Sequence, residues 1–239
     1  VRNRIVIVGG TSGIGLAAAR RLASHGHEVI IAGRDKSRLE AALAGLGENV
    51  TGRTVDARDE ADLTRFFTEI GSIDHVVVTV TGPSGTTPFR ELTLGHVREH
   101  VEGKLLAHTA AMQAALPHLT RGGSITLVSA ASAGGSMPAT AALAAVNSGV
   151  EAMVPVLAVE LAPLRVNAVS PGVIDTDWWS FLPDGARAEV FDSIASDTPV
   201  GRVGTADDVA HAIEFLVENS FTTGIVVRVD GGARLGAPK

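Results

Sequence analysis

Short runs of β-branched and apolar residues recur along the chain: IVIVGG, EVIIAG, VTGRTVDA, HVVVTV, SITLVSA, RVNAVSPG and GIVVRVDGG. Between them lie Ala-rich stretches with apolar positions at helical spacing, among them LAAARRLASHG, SRLEAALAGLG, ADLTRFFTEI and DDVAHAIEFLVEN. Strand and helix in alternation predict βαβ units on a parallel sheet, and the near-continuous apolar character of the strands predicts helices on both faces. The expected architecture is α/β: one doubly wound domain over residues 1–239, with no linker or repeat. The least regular segment, 177–200, reads as an inserted substrate loop with short helices of its own. Longer helical patterns at 97–119 and 140–161 are apolar on more than one face, which predicts a homodimer or homotetramer.

Composition narrows the function. Apolar residues make up 45% and charged residues 19%, which suits a globular chain, and with aromatics at 4% the core must be aliphatic. A net charge of −6 without a dense Lys/Arg run argues against nucleic acid and anionic membrane surfaces as partners. Cysteine is absent, which removes disulfides and thiolate metal sites and fits a cytoplasmic protein. The opening VRNRIVIVGG reads as a first strand rather than a signal peptide, and no membrane span is expected.

The first strand runs straight into Gly9, Thr11, Ser12, Gly13, Ile14 and Gly15 at the mouth of a helix. Glycines there let backbone amides approach a pyrophosphate, which a helix N-terminus also favours. The spacing of Gly9, Gly13 and Gly15 resembles that of the short-chain dehydrogenase/reductase family, a Rossmann-like fold. So do Asp56 in VDA, SPGVIDT at 170–176, PVGRVGTADDVAHAIEFL at 199–216 and VDGG at 229–232, so the likeness covers essentially the whole chain. The second strand ends at Gly33 and Arg34, where a carboxylate would select NAD, and a guanidinium there favours NADP(H). Lys36 and Arg38 add to that field and Asp35 subtracts from it. The resemblance implies that Asp56 and Ala57 meet the adenine, that Ile174 and Thr176 meet the nicotinamide side, and that Val80, Pro171 and Gly172 complete the cofactor contacts.

The family's proton relay consists of Ser, Tyr, Lys and Asn. Counting back from VELAP places Leu143 at the Tyr position and Asn147 at the Lys position, and the chain contains no Tyr at all. Ala130 falls at the Ser position, with Ser129 or Ser132 reachable by a one-residue gap, and counting back from QAALPHL places Lys104 at the Asn position. The usual NNAG is replaced by Val78, Thr79, Val80 and Thr81. Lys and Asn have thus changed places, which points to Lys104, Asn147 and Ser129 as catalytic candidates, with the Lys104 ammonium reaching toward position 147 to hold the ribose or supply a proton. Trp178 and Trp179 would wall a substrate pocket or anchor the loop, and Asp175 or Asp177 could serve as a base there. HVREH at 96–100 matches a zinc-peptidase pattern, but surface histidines are the expectation, and no metal is predicted.

The function expected is NADP(H)-dependent oxidoreduction of a modest-sized, partly apolar carbonyl, alcohol or alkene through a non-standard proton relay. The alternatives are a non-redox isomerase, lyase or cyclase, or an NADPH-sensing binding protein, on the same fold.

Overall fold

The computed structural model describes residues 2–183 and 185–235. Strands β1 (Arg4–Val8), β2 (Glu28–Gly33), β3 (Val50–Thr54), β4 (Ile73–Val78), β5 (Leu119–Val128), β6 (Arg165–Pro171) and a last strand, Val226–Val229, form a seven-stranded sheet. A separate two-stranded pair, β7 (Ile174–Asp175) and β8 (Gly204–Thr205), precedes that last strand, which is therefore β9. The sheet order is β3-β2-β1-β4-β5-β6-β9 and every pairing is parallel. Helices are α1 (Gly13–Ser24), α2 (Lys36–Ala44), α3 (Glu60–Ile70), α4 (Leu94–His100), α5 (Ala107–Ala115), α6 (Ala141–Glu160), α7 (Ala186–Asp197) and α8 (Ala206–Glu218).

Side chains of each strand alternate between two cores. Val6, Val8, Val76, Val78, Ile125 and Leu127 face α3, α5 and α6, meeting Phe67, Ala111, Met112, Val150 and Val154. Ile5, Ile7, Val29, Ile31 and Val169 face α1, α2 and α8, meeting Ala18, Leu22, Leu39, Val209 and Ile213. Burial on both faces is why the strands read as unbroken apolar runs. Polar caps then fix where helices begin. Asp59 accepts from the amides of Ala61 and Asp62 at α3, and Thr205 and Asp208 form a reciprocal capping box at α8. Arg202 donates to both oxygens of Asp208 at 2.7 and 2.9 Å and, with the Thr205 amide, holds its carboxyl well below the usual carboxylate range.

One expectation needs correction. The pattern at 97–119 is not one helix: α4 begins at Leu94, a π-helical turn occupies Val101–Leu106, α5 follows, and a 3-10 turn at Leu116–His118 ends the column. By length and composition α6 could cross a membrane, with a mean hydropathy of 1.6 over its most apolar window. It lies instead against the sheet, with Val150 and Val154 fully buried and Asn147 and Glu151 in polar contacts. The segment 177–200 holds a 3-10 turn at Asp177–Phe181 and α7.

Candidate active site

The strand order reverses between β1 and β4, and their C-terminal ends open the crevice in which a doubly wound sheet takes its ligand. Gly9 has φ +95°, and a Cβ on it would lie 2.5 Å from the Thr79 hydroxyl. A Cβ on Gly15 would lie 2.2 Å from the Gly9 carbonyl oxygen, so the loop folds back on itself where only hydrogen fits. The Thr79 hydroxyl donates to the Gly9 carbonyl at 3.0 Å, locking the loop to the end of β4. Ser12, the residue before α1, makes no side-chain cap, and the first turn carries no acidic residue. The orphan amides of α1 are thus left for an anion.

Thr11 fills the space beside Gly33, where a Cβ would come within 2.7 Å of its methyl group. Nearby, Thr11, Ser12, Gly13, Leu16, Arg38, Ala41, Ala42 and Asp177 line an open groove of about 250 Å³. Arg38 is the basic side chain in that groove, while Arg34 is exposed on the preceding turn. Asp35 is committed to capping α2: it accepts from the Ser37 hydroxyl and the Arg38 amide, and these bonds lower its pKa. Asp56 accepts from the Arg58 amide at 3.0 Å, and Ala57 beside it is buried. Val80 is partly buried against the core.

Pro171 ends β6, and Gly172 passes so close to Asp230 that a Cβ would lie 2.8 Å from its Cα. Ile174 is buried, and Thr176 lies within 3.4 Å of where a Gly13 Cβ would stand, which brings this loop over the glycine turn. Asp175 is paired with Arg187, while Asp177 lines the groove by Ser12 and Gly13. Trp179 is buried and donates to the Ile174 carbonyl at 3.1 Å, which makes it a loop anchor. Trp178, half-buried, meets Trp179 and Phe181 edge-on at 4.9 and 5.4 Å between centroids.

Below this loop the catalytic candidates converge on the turn at 129–132. Lys104, on the π-helical turn, is only 6% exposed and donates to the Ser129 carbonyl at 3.4 Å. Burial lowers its pKa to about 8. Asn147 donates to the Ser132 hydroxyl at 3.0 Å and to the Leu143 carbonyl at 2.9 Å, and its buried Oδ1 has no partner. The Ser129 hydroxyl turns the other way, donating to Glu151 at 2.8 Å. Lys104 therefore meets the backbone of Ser129, and the serine hydroxyl that meets Asn147 is that of Ser132. His96 and His100 do separate work: His96 closes a capping box with Thr93 on the surface, whereas His100 is buried against Gly82.

The Enoyl-(Acyl carrier protein) reductase family model matches residues 8–234. The putative ketoacyl reductase 2 of the granaticin polyketide synthase of Streptomyces violaceoruber is 34% identical over 96% of this chain and 95% of its own. The chain belongs to the short-chain dehydrogenase/reductase family. A small-chain dehydrogenase crystallised in complex with NADPH superposes with a TM-score of 0.85 at 32% identity, covering 99% of this chain and all of that one. A short-chain oxidoreductase of Pseudomonas aeruginosa PAO1 containing an atypical catalytic center superposes at 0.87 with 27% identity, covering 96% of each chain.

Within this short-chain dehydrogenase/reductase fold, sequence reasoning missed three polar residues near the candidates. His108, one turn beyond Lys104, is fully buried and donates from Nδ1 to the Lys104 carbonyl at 2.9 Å, leaving Nε2 without a partner. Burial, and then the Lys104 charge, push its pKa down to about 3, so the ring is neutral. Glu151, one turn beyond Asn147, accepts from both Ser129 and Ser170, and Arg234 donates to Ser170 at 2.8 Å. A carboxylate in the middle of the apolar helix 141–160, whose other carboxylate is the terminal Glu160, was the available signal for Glu151.

Proposed function

We propose that the protein is an NADP(H)-dependent oxidoreductase acting on a modest-sized, partly apolar carbonyl, alcohol or alkene, with Lys104 as the proton-handling group. The chain fits the cofactor. Gly9 and Gly15 let the loop fold tightly at the start of α1, α1 begins with uncapped amides, and Arg34 and Arg38 supply guanidinium groups for a 2′-phosphate. When bound, NADPH supplies the hydride.

The observation that carries the reading is the burial of the Lys104 ammonium with one 3.4 Å hydrogen bond, to the Ser129 carbonyl, while Asn147, bonded to Ser132, has a buried oxygen with no partner. An ammonium has three donors, so two remain for a ligand. Near neutral pH a lysine with a pKa of about 8 is mostly protonated and still gives up its proton readily, as a general acid should. Asn147 Oδ1 would accept from a ribose or substrate hydroxyl. Leu143 contributes only apolar surface. The exposed apolar residues Leu106, Val156 and Val159 support assembly into a dimer or tetramer through α6 and the π-helical turn.

Titration with NADPH and with NADH, followed by energy transfer from tryptophan to nicotinamide, tests the cofactor. Tight NADPH and weak NADH binding is expected, and no binding of either overturns the reading. Deuterium transfer from labelled NADPH into a reduced carbonyl product tests the chemistry. Binding without transfer, over a panel of ketones and enones, would favour a non-redox enzyme or a nucleotide sensor instead.

A further inference from the structure

We propose that His25, Glu214 and Glu218 bind a divalent cation of the zinc class, clipping the end of α1 to the end of α8. The nitrogen of His25 and one oxygen from each carboxylate lie within 4.8 Å of one another, the only such group among the described residues. Glu214 and Glu218 stand one helical turn apart on α8 and so share a face. His25, directly after α1, brings Nδ1 against Glu214 Oε1 and to 3.8 Å from Glu218 Oε1. Ligands of a tetrahedral zinc with bonds near 2.0 Å are about 3.3 Å apart, so small side-chain shifts would seat the ion.

Glu214 is the buried member of the group. It is 5% exposed; its buried Oε1 faces only His25 Nδ1, and its other oxygen accepts from Arg21 at 2.5 Å. An ionised carboxylate in the interior is costly unless its charge is balanced, and a cation shared with His25 would add to the balance that Arg21 supplies. The surroundings supply outer-shell support of the kind metal ligands need. Arg21 orients Glu214. His27 accepts the Asn3 amide on Nδ1 at 3.2 Å, so its proton is on Nε2, which donates to Glu218 at 3.2 Å. The His25 and Glu218 side chains are 47% and 46% exposed, which gives the ion an entry path and leaves room for a water ligand. Imidazole with two carboxylates selects zinc, cobalt or nickel over magnesium. The glycine turn lies at the opposite end of the 12-residue α1, about 18 Å away, so the site is independent of the proposed chemistry.

Untagged, metal-free protein titrated calorimetrically with zinc chloride should bind one ion per chain, and magnesium should give no saturable heat. Saturating zinc at roughly 100-fold over its Kd should raise the thermal midpoint by about 5–10 °C. Cobalt should develop the intense visible absorption of a low-symmetry, nitrogen- and oxygen-ligated site. His25→Ala and Glu218→Gln change partly exposed residues, and Gln keeps an oxygen for His27. Each should weaken zinc binding about 100-fold or more while leaving the metal-free circular dichroism spectrum near wild type. Absence of saturable zinc binding, or equal binding by wild type and His25→Ala, would overturn the site and leave a His–Glu ion pair as the tie between α1 and α8.

Discussion

Around Gly9 and Gly15 the cleft is held by the loop folding back on its own backbone, with Thr79 as the only side chain among the described residues bonding into it. Around Lys104 and Asn147 the work is done by side chains: the ammonium on Ser129, the amide on Ser132, His108 beneath the π-helical turn and Glu151 beneath the serines. Contacts of the first kind admit almost no substitution, because the space for a Cβ does not exist. Contacts of the second kind can be rebuilt, because a different pair of side chains can meet at the same turn. That difference teaches why a glycine turn with the family's spacing can sit beside a cluster of polar side chains in a chain without tyrosine.

The sharpest way to break the comparison is at Gly15. Gly15→Ala, with its Cβ driven onto the Gly9 carbonyl, should abolish measurable NADPH binding and cost about 1–3 kcal/mol of stability. Nucleotide titration and urea denaturation check both. Next comes Lys104→Met, which should lower single-turnover reduction by about 100-fold or more while NADPH affinity changes by less than about threefold. Normal turnover by this variant would remove lysine from the relay.

The same lysine predicts two pH effects. If its ammonium is the acid, the reduction rate should be level below pH about 8 and fall about tenfold per unit above it. Its folded pKa lies below the unfolded value of 10.5, so between about 8 and 10.5 the unfolded chain binds the extra proton. Folding stability from this group therefore rises with pH across that window, and Lys104→Met should remove the rise. Smaller again, Arg34→Ala or Arg38→Ala should weaken NADPH about tenfold and leave NADH unchanged. Least of all, Leu143→Tyr with Asn147→Lys should raise reduction of simple ketones by less than about threefold, since Ala130 and Lys104 still interrupt the family's network.

The parallel sheet was legible because burial on both faces writes itself into the strands as runs such as IVIV and HVVV. The glycine turn and the absence of tyrosine were legible because each is a matter of residue identity. The burial of Lys104 was not, because lysine on a helix ordinarily keeps its head in water and only the tertiary fold closes over it. Nor was the division of labour between Ser129 and Ser132, three residues apart on one turn, since it depends on which way each hydroxyl faces. The groove-lining place of Arg38, one helical turn beyond Arg34, likewise depends on how α2 sits against α1.

The π-helical turn at Val101–Leu106 has a consequence for how this helical column tolerates change. In an α-helix each residue advances the face by about 100°, so one residue gained or lost re-aims everything beyond it. A widened turn absorbs such a phase slip locally. Upstream, α4 takes its angle from the segment at Gly82, which His100 overlies, while downstream α5 takes its own from Ala111 and Met112 in the core. Lys104 sits at the joint between two independently phased halves. A single-residue deletion that restored regular winding there would force one half to give up its bearing, and the lysine would leave the turn at Ser129 even though its identity was unchanged.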